Sequence, residues 1–104
     1  MKSAYREEKD ENRIDFLREL ADAGTRQGRK YEQNGQLDLA EEQFLLALKA
    51  QEQLLSALNE QCYADAAMES CSSLADICMQ QGNMHGADFY YARAMGYRQG
   101  MRFC

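Results

Sequence analysis

Tryptophan and proline are absent from this chain of 104 residues, and β-branched aliphatics are few beside leucine and alanine. That shortage removes the usual material of strands and favours helix. Glycines fall singly, and no glycine-rich loop with a following lysine exists to cradle a phosphate. Histidine occurs once, at His85. A Cys–His nucleophile pair needs a third group to orient it, and nothing near His85 in the chain supplies one. No Cys-x-x-Cys occurs among Cys62, Cys71, Cys78 and Cys104. Cys71 and Cys78 stand one heptad apart, about 10 Å along a helix, too far for one tetrahedral zinc with ligands at about 2.3 Å. They read as small hydrophobes, and all four cysteines as reduced thiols. No secretory signal and no apolar run long enough to cross a bilayer stand out. The expectation is a cytoplasmic protein without catalytic residues, metal or cofactor, and without a membrane role.

Positive charge is also scarce in one place. Residues 1–33 carry eight basic and eight acidic side chains, but residues 34–85 carry only Lys49 against eight acids. Residues 86–104 reverse the sign, with Arg93, Arg98 and Arg102 against Asp88. An acidic middle lacks the basic footprint that nucleic acid requires. No low-complexity linker divides the chain, so 1–104 reads as one domain: a polar lead-in at 1–10, one hairpin at 11–58 and a second at 59–104.

What is present is a repeat. Gly35, Ala40, Phe44 and Ala47 are matched by Gly82, Ala87, Tyr91 and Ala94, each pair 47 residues apart. A glycine suited to the left-handed conformation ends one helix, and an amphipathic helix follows. Ala40, Phe44 and Ala47 share a face at i, i+4 and i+7. Small residues there let a neighbouring helix approach, and the aromatic fills the gap. In the first copy Gly28 and Tyr31 occupy the small and aromatic positions of the preceding helix; the second copy has Leu74, Ala75 and Cys78 in that region. This pattern resembles the tetratricopeptide repeat (TPR), a helix-turn-helix unit of about 34 residues. The offset of 47 is longer, more like the long-helix variety of kinesin light chains, and the family's tryptophan and closing proline are missing. The resemblance implies an all-α fold of four helices, two antiparallel hairpins stacked as a short right-handed array. It also implies a protein-binding module, a small adaptor or chaperone-like protein with a protein or peptide partner.

The spacing predicts helices over about 11–33, 38–57, 62–81 and 86–102. Asn12 with Asp15 is a passable N-terminal cap for the first. Leu39, Ala40, Phe44, Leu45, Ala47, Leu48, Leu54 and Leu55 make the second apolar over much of its circumference, so it is expected to be the most buried. Ala67, Cys71, Leu74, Ala75 and Cys78 form the inner face of the third. Gly24 and Gly28 weaken the first helix by about 1 kcal/mol each, and Gly24 has no evident reason.

In the family, first helices line a partner groove. That implies Asp22, Thr25, Arg26, Arg29 and Gln33 from the first copy, and Glu69, Ser72, Ser73, Asp76 and Met79 from the second. The alternative is that these are solvated faces. The lysine–asparagine pattern that grips a terminal carboxylate is not reproduced. The last helix carries a second candidate surface: Phe89, Tyr90, Arg93, Gly96, Tyr97, Gly100, Met101 and Phe103. Aromatics with arginine are the usual interface mixture, and Ala92, Gly96 and Gly100 form a small-residue ridge. A self-assembling subunit, most simply a homodimer through this helix, is the second reading. Against it, the aromatics fold back on their own chain or the helix ends at Gly96.

Overall fold

The computed structural model describes residues 2–100, with side chains placed over residues 11–98. Gly35 and Gly82 take φ of 76° and 77°, a conformation that costs other residues a steric clash. Around each the same hydrogen bonds close the helix. Gly35 N–H donates to Glu32 O at 3.0 Å and Gln36 N–H to Tyr31 O at 2.9 Å. Gly82 N–H donates to Met79 O at 3.1 Å and Asn83 N–H to Cys78 O at 2.7 Å. These C-terminal caps satisfy carbonyls that a helix end leaves unpaired. The repeat seen in residue types is thus a repeat of backbone geometry. Between the two, Asn59 makes the third turn with φ 50° and donates its N–H to Leu55 O at 2.7 Å.

The turns separate four helices: α1 (Lys2–Gln33), α2 (Leu37–Leu58), α3 (Gln61–Gln80) and α4 (Met84–Gly100). No strand occurs among the described residues, and the chain is the all-α helical array expected. None of these helices is long and apolar enough to cross a membrane. Successive helices pack side by side, α1 on α2, α2 on α3 and α3 on α4. Met101 and Phe103 lie outside the described residues.

Three expectations are corrected. Asn12 is not a cap: the polar lead-in and the helix expected from Glu11 are one element, α1, unbroken from Lys2, and Asn12 sits inside it as an exposed helical residue. The run from Lys2 to Asp10 holds mostly straight-chain helix formers and no glycine or proline to interrupt them. α2 is covered on both sides, but α3 is the more buried, with eight buried residues in 20 against seven in 22. α3 reaches this with Ala, Cys and Ser as well as Leu and Ile, which periodicity of large apolar residues understates. Third, Tyr91 does not fill the second hairpin as Phe44 fills the first: Phe44 is 1% exposed and Tyr91 39%.

The core has two parts. Ala40, Phe44 and Leu48 of α2 meet Ala67, Cys71, Leu74 and Ile77 of α3 and Ala94 of α4. Leu17 and Ala21 of α1 pack with Ala50 and Leu54 of α2 towards the other end. Gly24 now has its reason. A Cβ there would stand 2.8 Å from the backbone oxygen of Gln43 and 3.0 Å from Ala47 Cβ, so α1 crosses α2 at this point. A Cβ on Gly28 would touch the Phe44 ring at 3.0 Å. At the far end Gln81 Nε2 donates to Asp38 Oδ1 at 3.1 Å, tying the α3–α4 turn to the start of α2.

Candidate functional site

Because α1 and α3 are both first helices of hairpins, they flank α2 on the same side and leave a trough between them. The trough holds a cavity of about 540 Å³. Its walls are Asp22, Thr25, Arg26 and Arg29 from α1, and Ala66, Glu69, Ser70 and Ser73 from α3. Phe44 and Gln51 of α2 form the floor. Six of the ten residues implied by the family resemblance therefore meet at one place. The other four do not line it. Gln33 is exposed at the end of α1. Ser72 turns its hydroxyl back to donate to Met68 O at 3.1 Å. Asp76 accepts a hydrogen bond from the Tyr91 hydroxyl at 2.9 Å, and Met79 Sδ lies 3.6 Å from the same hydroxyl. Asp76 and Met79 thus belong to the α4 side of α3.

The walls of the trough are charged and its floor is fixed. Arg29 reaches across to Glu69 at 3.7 Å. Both side chains are well exposed, and such a pair is worth little. Arg26 lies beside Asp22, with Nε donating to the Asp22 backbone oxygen at 3.4 Å. It forms no ion pair among the described residues. Under these, Ser70 Oγ donates to Gln51 Oε1 at 2.7 Å, and both residues are buried. Neither Ser70 nor Gln51 was anticipated. Small and polar residues at buried positions carry no periodic apolar signal.

On the last helix the second candidate surface splits. Tyr90 and Tyr97 do not stand clear of their own chain: both are half-buried and rest against the main core cluster. The expectation of uncovered rings there is corrected, because Tyr90, Ala94 and Tyr97 follow Ala87 along the face that α4 turns to α3. Phe89 is exposed, meeting the Tyr90 ring edge-on with centroids 5.2 Å apart. Arg93 lies over Phe89 at 6.0 Å and is held by a short hydrogen-bonded ion pair to Glu52 of α2. Ala92 and Gly96 are exposed, with open space around Gly96. α4 continues through Gly100 and does not stop at Gly96.

Cys62 is exposed, whereas the two cysteines of the α3 inner face are closed off. Cys71 and Cys78 are buried, and burial pushes the Cys71 thiol up to about 11. The nucleophilic form is the thiolate, so this setting holds the sulfur in its inert state. Burial likewise raises the Cys78 thiol. No cluster of residues able to hold a metal occurs among the described residues.

Comparison with known proteins agrees with this architecture. Residues 68–100 match the family model of the tetratricopeptide repeat, which supports a place for the chain in that repeat family. The matched stretch is most of α3 with α4, the hairpin whose first helix departs further from the small-and-aromatic pattern. No curated protein and no solved structure matches the chain.

Proposed function

We propose that this chain is a non-catalytic protein-binding module, an adaptor or chaperone-like protein that grips a peptide segment of its partner between α1 and α3. One observation carries the reading: Asp22, Thr25, Arg26 and Arg29 converge with Glu69 and Ser73 on one cavity of about 540 Å³. Tetratricopeptide repeats generally mediate protein–protein contacts, and these are the helices that line the groove in that family. A trough with a fixed apolar and hydrogen-bonded floor and both signs of charge on its walls suits a polar peptide with an apolar anchor. The anchor seats against Thr25 and Ala66, the half-buried small residues of the two walls, and Arg26, free of an ion pair among the described residues, receives a carboxylate or carbonyl. The helices of 20 and 22 residues also support the long-helix variety of the repeat as part of this proposal.

Selection from a displayed peptide library on the purified chain tests it. Enriched peptides should lose affinity at least about ten-fold, ~1.4 kcal/mol, on Arg26→Glu and on Ser73→Arg, which fills the cavity. Gln33→Ala, outside the cavity, should leave affinity unchanged. Peptides indifferent to the first two variants, or no enrichment at all, would refute the groove.

A further inference from the structure

The repeat makes a demand on α4 that the described residues do not meet. The face of α2 bearing Leu37, Phe44 and Leu48 is covered: Phe44 and Leu48 are buried in the cluster with Leu74 and Ile77 of α3, and Leu37 packs against it. The residues one repeat later on α4 are Met84, Tyr91 and Met95, which are 57%, 39% and 59% exposed. Met79, 49% exposed, continues this apolar strip onto α3. Position for position, the strip is one that the fold buries under a helix.

We infer that this face of α4 pairs with the same face of a second copy in a closed, antiparallel twofold dimer. Two arguments select that occupant. The first excludes head-to-tail stacking. A second copy stacked as α3 stacks on α2 would present α1, and there Gln27 and Lys30 stand where α3 has Leu74 and Ile77. Gln27 and Lys30 are exposed in α1, and a lysine at the centre of an apolar contact forfeits its hydration. Without that contact no open filament forms, and an isologous pairing remains. The second argument is charge. Asp88 and Arg98, both exposed, flank the strip on α4. A twofold axis crossing α4 at the level of residue 93 sets Tyr91 opposite Met95 of the other copy. The same axis sets Asp88 opposite Arg98 of the other copy, twice. Opposite charges meet at both ends in this register, and a parallel pairing would set like against like.

The affinity follows from size. α4 has 17 residues, about 25 Å, and two helix diameters make the α3–α4 face ~20 Å wide. That is on the order of 500 Å² per copy, below the ~800 Å² of a standard interface. An interface of that size gives a weak, concentration-dependent association.

Sedimentation velocity of the full chain from about 5 to about 500 µM, a span that brackets the affinity of so small a face, tests the pairing. The mass should rise from 11.9 kDa towards twice that. Met95→Glu and Met84→Glu should each weaken association at least about ten-fold with helicity by circular dichroism unchanged. Asp88→Arg or Arg98→Asp alone should weaken it, and the two together should restore it. A monomer throughout the range overturns the inference, as does association that survives both methionine variants. Failure of the double charge swap to restore the dimer overturns the antiparallel register. The groove lies on α1 and α3, so peptide binding through it stands or falls separately.

Discussion

Glycine at position 24 weakens a helix that would be stronger with alanine, yet the helix crossing needs it. Alanine there gains about 1 kcal/mol of helix propensity. Its Cβ would meet the Gln43 backbone oxygen at 2.8 Å. A backbone atom cannot rotate aside, so α1 and α2 must part, and overpacking of this kind costs about 1–3 kcal/mol. Gly96 is the control, because nothing lies within 4 Å of a Cβ built on it. Gly24→Ala is expected to lower stability in urea denaturation by ~1 kcal/mol. Gly96→Ala is expected to raise it by ~0.5–1 kcal/mol. Shifts of the same sign would show that propensity, not helix approach, decides both sites. The second hairpin solves the crossing differently. Cys71 and Ala75 occupy the places of Gly24 and Gly28, and both are fully buried. The added bulk on α3 is accompanied by a Tyr91 ring that lies outside, bonded to Asp76.

Between elements, the α2–α3 junction holds the hairpins together, and it contains the two buried polar side chains found among the described residues, Gln51 and Ser70. Their 2.7 Å hydrogen bond is the reason that both can be there. Ser70→Ala removes the donor and leaves the Gln51 carbonyl buried and unpaired, at a cost of about 1–3 kcal/mol. Adding Gln51→Met to Ser70→Ala supplies an apolar group of similar length and should recover most of the loss. If the double variant is as unstable as the sum of the singles, the pair is not coupled in this way. No sequence argument reached this bond, since the two residues sit 19 apart across a turn and each looks solvated by itself. What could be read was whatever repeats. Gly35 and Gly82 marked two of the three left-handed turns, and the period of 3.6 fixed the inner faces of α2 and α3. Helix starts were hidden. Asn83 caps α4 through Oδ1, accepting the Gly86 N–H at 3.0 Å, while Gln36 at the matching place makes no cap bond. The rotation of α4 was hidden too. Phe89, Tyr90 and Tyr91 are consecutive aromatics about 100° apart around a helix, and composition does not choose which faces inward. The groove was partly legible because the family resemblance carries its wall positions onto α1 and α3. Asp76 and Met79 escaped it because α4 draws them to the opposite side.

At the scale of the molecule, the extensive packing is between sequential helices, and the shape shows it: the Cα radius of gyration is 15.1 Å, against about 13 Å for a round chain of this length. Such an array is stabilised neighbour by neighbour, so protection should follow the number of neighbours. α2 and α3 have two extensive neighbours each; α1 and α4 have one. In dilute solution, native-state hydrogen exchange should be slowest for amides in α2 and α3 and faster in α1 and α4. Concentration then separates the proposed contacts. If α4 pairs with a second copy, its exchange alone should slow as protein is added. At about ten times the dissociation constant the linkage is RT ln 11, ~1.4 kcal/mol, or about ten-fold in rate. A groove-bound peptide acts at the other side, slowing α1 and α3 at fixed protein concentration. Were α4 to outlast α2 and α3 in dilute solution, the neighbour-by-neighbour picture would be wrong. The exposed strip of Met84, Tyr91 and Met95 would then have a covering within the single chain.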